Sequence, residues 1–100
     1  MIPKRLVPGT NKEVSLLVMG TITWSEEDMK DKEPIYDSYV KLGGNCLDIG
    51  YIYGGGGSAR GYGNWLHDRG HVGKVMIFDK GCHPNSEGPQ FTPEAMEREM

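Results

Sequence analysis

Gly43-Gly44-Asn45-Cys46-Leu47-Asp48-Ile49-Gly50-Tyr51-Ile52-Tyr53-Gly54-Gly55-Gly56-Gly57-Ser58 is the stretch on which the fold turns. Gly43 and Gly44 end a helical pattern, Asn45 to Ile49 read as a short strand, a glycine loop follows, and Ser58 is placed to cap the next helix. A helix ends, a strand runs and a second helix begins in quick succession. That alternation is the mark of repeated βα units rather than of an all-helical or all-strand domain.

The pattern extends in both directions. Upstream, Ile35, Tyr36, Tyr39, Val40 and Leu42 recur at three- and four-residue spacing, so one amphipathic helix with one buried face is expected, with Pro34 in its first turn. Ser25-Glu26-Glu27-Asp28 reads as an exposed turn before it. Earlier still, Lys4 to Val7, a Pro8-Gly9-Thr10-Asn11 turn and an arm from Glu13 form a hairpin. The second arm continues through Val14 to Met19 as the first barrel-type strand and stops at Gly20. Downstream, the helix from Ser58 carries Tyr62, Trp65 and Leu66 and ends before Gly70. Lys74 to Asp79 is a continuous apolar strand of the kind buried on both faces. Thr92-Pro93-Glu94-Ala95-Met96-Glu97 has the cap, proline and acid of a helix start, and the sequence stops inside that helix.

The three strands end near residues 19, 48 and 79, so 29 and 31 residues apart with a helix in each gap. A (β/α)8 barrel of about 250 residues spends roughly 30 on each unit, so the expected fold is α/β, the N-terminal part of a (β/α)8 TIM barrel preceded by a β-hairpin. Residues 1–100 then form one incomplete domain of three βα units. Three strands alone leave sheet edges and helix faces uncovered. Marginal folding and little or no activity are therefore expected of these residues in isolation.

Composition narrows the function. With 37% hydrophobic residues, 25% charged residues and a net charge of -3, the chain is of soluble globular type. Acids and bases are interspersed, so neither a phosphate-backbone stripe nor a polybasic lipid surface is present, and neither nucleic acid nor membrane is expected as a partner. No apolar run approaches the roughly 20 residues of a membrane span, and Met1-Ile-Pro-Lys-Arg begins no signal peptide, so the cytoplasm is the expected location. Cys46 and Cys82 form no CxxC pair and read as buried, reduced thiols, with no metal site.

Asp48, Tyr53 and Lys80 lie at or just beyond the C-terminal ends of strands, the active-site face of such barrels. An acid, a phenol and an amine converging there suit proton donation. A lysine about 4 Å from a phenol favours the phenolate by roughly 4 kcal/mol at an effective dielectric of 20. An acid beside the lysine keeps it charged and oriented. Each residue also has an ordinary explanation: a salt-bridge acid, a packed aromatic, a solvated strand end.

The early motif Gly43 to Asp48, then Tyr51-Ile52-Tyr53-Gly54, Ser58 and Gly63, resembles the signature of the aldo-keto reductase superfamily. Trp65-Leu66, the Lys74-to-Phe78 strand and Lys80-Gly81 follow in the same order and spacing, so the resemblance covers the chain from about Leu6 onward. It implies NADPH-dependent reduction of aldehydes or ketones to alcohols, with NADH as the alternative cofactor and a small carbonyl compound as substrate. It implies Tyr53 as general acid, Lys80 as the cation that assists it and Asp48 as the partner of that lysine. Gly20, Thr21 and Asp48 would lie at the cofactor, and Trp24 at the substrate. The family's catalytic histidine belongs to a fourth strand, beyond residue 100, and His83 in its Pro/Asn/Ser/Gly-rich loop is a poor substitute. His67 and His71 read as surface residues.

The chain also departs from the family pattern. Ile49-Gly50 stands where Thr-Ala is usual after the aspartate, Ser58-Ala59 replaces Ser-Glu, and Asp79 replaces the threonine before the lysine. Strand alternation turns Asp79 away from Lys80, yet a buried acid there is costly unless paired. These departures bear on chemistry rather than on ancestry. They keep open a catalytically inactive nucleotide-binding or assembly module derived from the family. Gly54 to Ala59 also matches G-x-G-x-x-A, with Asp79 twenty residues on, a Rossmann-like pattern with a poor preceding strand.

Overall fold

A computed structural model describes residues 1–21 and 29–99. A two-stranded antiparallel hairpin, β1 (Lys4–Leu6) and β2 (Glu13–Ser15), leads into a three-stranded parallel sheet. The parallel strands are β3 (Met19–Gly20), β4 (Cys46–Gly50) and β5 (Met76–Lys80), adjacent in that order. Helix α1 (Met29–Lys41) lies between β3 and β4, and α2 (Gly57–Asp68) between β4 and β5. Helix α3 (Pro93–Glu99) follows β5. The hairpin and the strand–helix alternation match the expected order. The described strands form an open sheet, with no closure into a barrel. Among the described residues no helix is long and apolar enough to cross a membrane.

Both long helices end on glycine for the same geometric reason. At the end of α1, Gly44 N–H donates to Tyr39 O and Gly43 N–H to Val40 O, each at 2.9 Å, with Gly43 at φ +98°. At the end of α2, His71 N–H donates to Leu66 O and Gly70 N–H to His67 O, with Gly70 at φ +68°. This paired bonding satisfies the last carbonyls and needs a left-handed residue that glycine supplies without a Cβ penalty.

The core lies on the helix-covered face of the sheet. Leu47 and Ile49, two residues apart on β4, pack with Tyr36 and Tyr39 of α1 and Tyr62, Trp65 and Leu66 of α2. Tyr36 meets Tyr62 edge-on at 4.7 Å between ring centres and Trp65 at 5.7 Å. Such pairs contribute about 0.5–1.5 kcal/mol each beyond the apolar area they bury. Outside this cluster, Arg69 grips Asp37 through Nε at 3.1 Å and Glu33 through its terminal nitrogen at 3.1 Å, while Trp65 Nε1 donates to Asp37 at 3.0 Å. The two helices are thus clamped at the rim as well as packed in the middle.

Several local expectations are corrected. The arm from Glu13 is not one strand to Met19: β2 ends at Ser15, and the chain bends before β3. Pro34 sits inside α1 rather than in its first turn, and is tolerated on an exposed position. Ile35 and Leu42 are exposed, so the buried stripe of α1 is Met29, Tyr36 and Tyr39. Ser58 is not the cap of α2. Gly56 holds that position at φ +91°, and Ser58 is buried within the first turn. Strand β5 is not buried on both faces: it is the sheet edge, and Ile77 and Phe78 are exposed. His71 is half-buried with its ring against Trp65 at 5.2 Å, whereas His67 is at the surface as expected. Thr92 caps α3 as its sequence suggests, its hydroxyl accepting from Ala95 N–H at 3.1 Å.

The hairpin occupies the end of the sheet opposite the strand C-termini. Asn45, just before β4, accepts from Ser15 N–H at 2.8 Å and donates to Glu13 O at 2.8 Å, standing in for a strand neighbour. The Tyr39 hydroxyl lies nearby, 2.7 Å from Leu17 O and 2.9 Å from Ser15 Oγ, and accepts from Cys46 N–H at 3.1 Å. One end of the sheet is sealed by this polar knot.

Candidate active site at the strand C-termini

The β4 and β5 register sets the site. Asp48 pairs with Phe78 and Gly50 with Lys80, so Asp48 and Lys80 share the face turned away from the helices. Tyr51 N–H extends the pairing by donating to Lys80 O at 2.8 Å, which holds the end of β5 against the start of the loop after β4. That loop turns at once into a short 3-10 segment, Tyr53–Gly56, and brings the Tyr53 ring back over the strand end.

Asp48, Tyr53 and Lys80 meet there. Lys80 Nζ lies 2.7 Å from Asp48 Oδ1 and donates to the Tyr53 hydroxyl at 2.8 Å. The ammonium is 5.2 Å from the Tyr53 ring centre, beside its oxygen rather than stacked on its face. The Asp48 carboxylate first, and then the Tyr53 hydroxyl, raise the lysine above its ordinary value, so Lys80 is a cation at neutral pH. With the side chains of Lys80 and Asp48 52% and 37% exposed, the trio is reachable from outside. A cation fixed against a phenol oxygen can stabilise the phenolate left after proton transfer. That is the chemistry the arrangement offers.

A cavity of about 240 Å³ opens beside the trio, lined by Tyr53 and Lys80 together with Tyr51, Ile52, Cys82 and Phe91. Apolar walls around one hydroxyl and one cation suit a small, largely apolar molecule with a polar end. Phe91 and Cys82 carry no motif and were not legible as wall residues. They reach the cavity only because the loop after Lys80 folds back. Cys82 is therefore half-buried rather than buried as expected, while Cys46 is fully buried, and both are free thiols. Burial, then the charge of Asp48, pushes the Cys46 thiol up.

The remaining candidates are placed as follows. Gly20 pairs with Asp48 across β3 and β4, and among the described residues, its chain neighbours aside, no atom lies within 4 Å of where a Cβ would stand. Thr21 is buried, its hydroxyl donating to Asp48 O at 2.9 Å and receiving Ser58 Oγ at 3.4 Å. The side chain of Thr21 is thus occupied in tying β3 to β4 and α2. Trp24 lies outside the described residues. His83 is exposed on the cavity rim, with its Nδ1 on Pro84 O at 2.8 Å. Asp79 is exposed on the face opposite Lys80, so the substitution there buries no acid. The Rossmann-like glycines begin only after Tyr51-Ile52-Tyr53, whereas in that motif the first glycine closes the turn directly off the strand. Among the described residues no group of three or more His, Cys, Asp or Glu is arranged to hold a metal ion.

Comparison with known proteins gives a family. The family model described as "Aldo/keto reductase family" matches residues 16–100. No curated protein matches the chain.

Proposed function

The chain belongs to the aldo/keto reductase family, a family of oxidoreductases, and on that premise we propose that it carries the first three units of a (β/α)8 barrel that reduces aldehydes or ketones to alcohols at the expense of NADPH. The observation that carries the reading is the contact of Lys80 Nζ with both Tyr53 OH and Asp48 Oδ1, at 2.8 and 2.7 Å.

Tyr53 is the proton donor. Its O–H passes a proton to the carbonyl oxygen while the carbonyl carbon accepts a hydride, and the product is the alcohol. Lys80 stabilises the phenolate that remains, and Asp48 keeps Lys80 charged and aimed at the phenol. The residues present fit a nicotinamide cofactor. The donor set supplies a proton and no hydride, and among the described residues the space over Gly20, beside Asp48, is open, which suits a flat ring. When bound, NADPH, or NADH as the alternative, supplies the hydride. Gly20, Thr21 and Asp48 would border its nicotinamide end, and the family resemblance assigns Trp24 to the substrate. A cytoplasmic location fits this use of a reduced nicotinamide.

Carbonyl-dependent NADPH oxidation by the full-length protein tests the proposal, with Tyr53→Phe as control. Turnover by the parent, lost by about 100-fold or more in the variant with cofactor binding retained, supports proton donation by Tyr53. Cofactor binding without turnover in either protein would instead identify a binding module.

A further inference from the structure

Gly50 stands where the family pattern leads one to expect alanine, and its missing side chain is filled by the Tyr53 ring. A Cβ placed on Gly50 would lie 2.7 Å from Tyr53 Cε1, 2.8 Å from Cζ and 2.9 Å from Cδ1. Three consecutive ring carbons at nearly equal distance put that Cβ direction over the ring face. Carbon atoms in ordinary contact are about 3.5–4.0 Å apart, so with this backbone an alanine is admitted only if the ring retreats by several tenths of an ångström or more. The retreat carries the phenol oxygen with it, because the ring is rigid. Lys80 cannot simply follow, because Asp48 Oδ1 holds its ammonium at 2.7 Å. Gly50 is also directly opposite Lys80 in the strand register, so the space it leaves is the space beside that lysine.

We propose that Gly50 is the positioning residue for Tyr53: its lack of a Cβ lets the phenol ring rest on β4, within hydrogen-bond reach of Lys80. This rests on the reading of Tyr53 as proton donor. Gly50 touches no reacting atom and acts only through the ring it admits. A residue that looks like erosion of the motif is in this account a compensated change, with the ring seated closer to the strand than an alanine permits.

The test uses the full-length protein and two variants, Gly50→Ala and Tyr53→Leu. Misplacement by about 1 Å costs up to 100-fold in rate, so Gly50→Ala is expected to lower kcat by about tenfold or more. NADPH affinity, followed by fluorescence titration, is expected to stay within about twofold, and the solvent deuterium isotope effect on kcat to rise as proton transfer becomes limiting. An unchanged kcat, or a fall with an unchanged isotope effect, overturns the positioning role. Nuclear magnetic resonance of the parent provides a readout independent of turnover and of how Gly50→Ala folds. A Gly50 Hα resonance is expected upfield from the Tyr53 ring current and is expected to move back in Tyr53→Leu. A Gly50 Hα indifferent to Tyr53→Leu overturns the contact. A ring-shifted Gly50 in a protein that reduces no carbonyl leaves the contact standing and removes the proposed reaction instead.

Discussion

Asp37 illustrates how a single residue outside the site reports on the fold. Hydrogen bonding from Arg69, the largest influence, holds the Asp37 carboxyl below its ordinary value, with Trp65 Nε1 adding to the effect. A carboxylate depressed in the folded state contributes stability above its unfolded value, and that contribution is lost as pH falls. Asp37→Asn should therefore lower the thermal midpoint of the full-length protein at neutral pH. The difference from the parent should shrink as pH falls through about 4. Because the pair is partly solvent-exposed, the effect should also weaken in high salt. A midpoint difference that grows toward acid pH would contradict the assignment. Residue by residue, the trio of Asp48, Tyr53 and Lys80 was singled out by its places at or just beyond strand ends together with the family resemblance, and the structure brings the three side chains together. Gly50 was not legible in this way, since its importance lies in a contact with a ring three residues on that no linear pattern displays.

At the scale of elements, the glycine pair after α1 does more than stop a helix. A Cβ on Gly44 would stand 2.1 Å from Tyr39 Cε2, and the Tyr39 hydroxyl is bonded into the knot of Ser15, Leu17 and Cys46. Gly44→Ala should destabilise the full-length protein by about 1–3 kcal/mol in urea unfolding, the usual cost of forcing atoms into a filled core. A change under 0.5 kcal/mol, of the size of about a surface substitution, would show that the ring moves freely. Element order and type could be read from periodicity and turn residues. The misreadings share a cause: they needed tertiary contacts. Ser58 has the chemistry of a cap, but Gly56 can take φ +91° and does, which frees Ser58 to face Thr21. The apolar run of β5 reads as doubly buried, yet burial depends on neighbours, and among the described residues β5 has only β4 beside it.

For the molecule as a whole, the exposed apolar groups Ile77, Phe78, Phe91 and Met96 gather along and beyond the unpaired edge of β5. Such an edge offers unsatisfied strand donors and acceptors with apolar flanks. Residues 1–100 expressed alone should therefore show a broad, weakly cooperative thermal transition and bind a hydrophobic dye. A sharp, reversible transition without dye binding would show that the three-unit sheet is self-sufficient. Repeated βα architecture was legible from strand spacing alone, but closure was not, because it is a property of the whole sheet.

Lys80→Met in the full-length protein tests most directly the proposal that Lys80 serves the proton donor rather than the cofactor. Turnover and NADPH affinity are to be measured on the same preparation. A kcat reduced by about 100-fold or more with cofactor affinity within about threefold of the parent is the predicted result. Equal carbonyl reduction by variant and parent would contradict it.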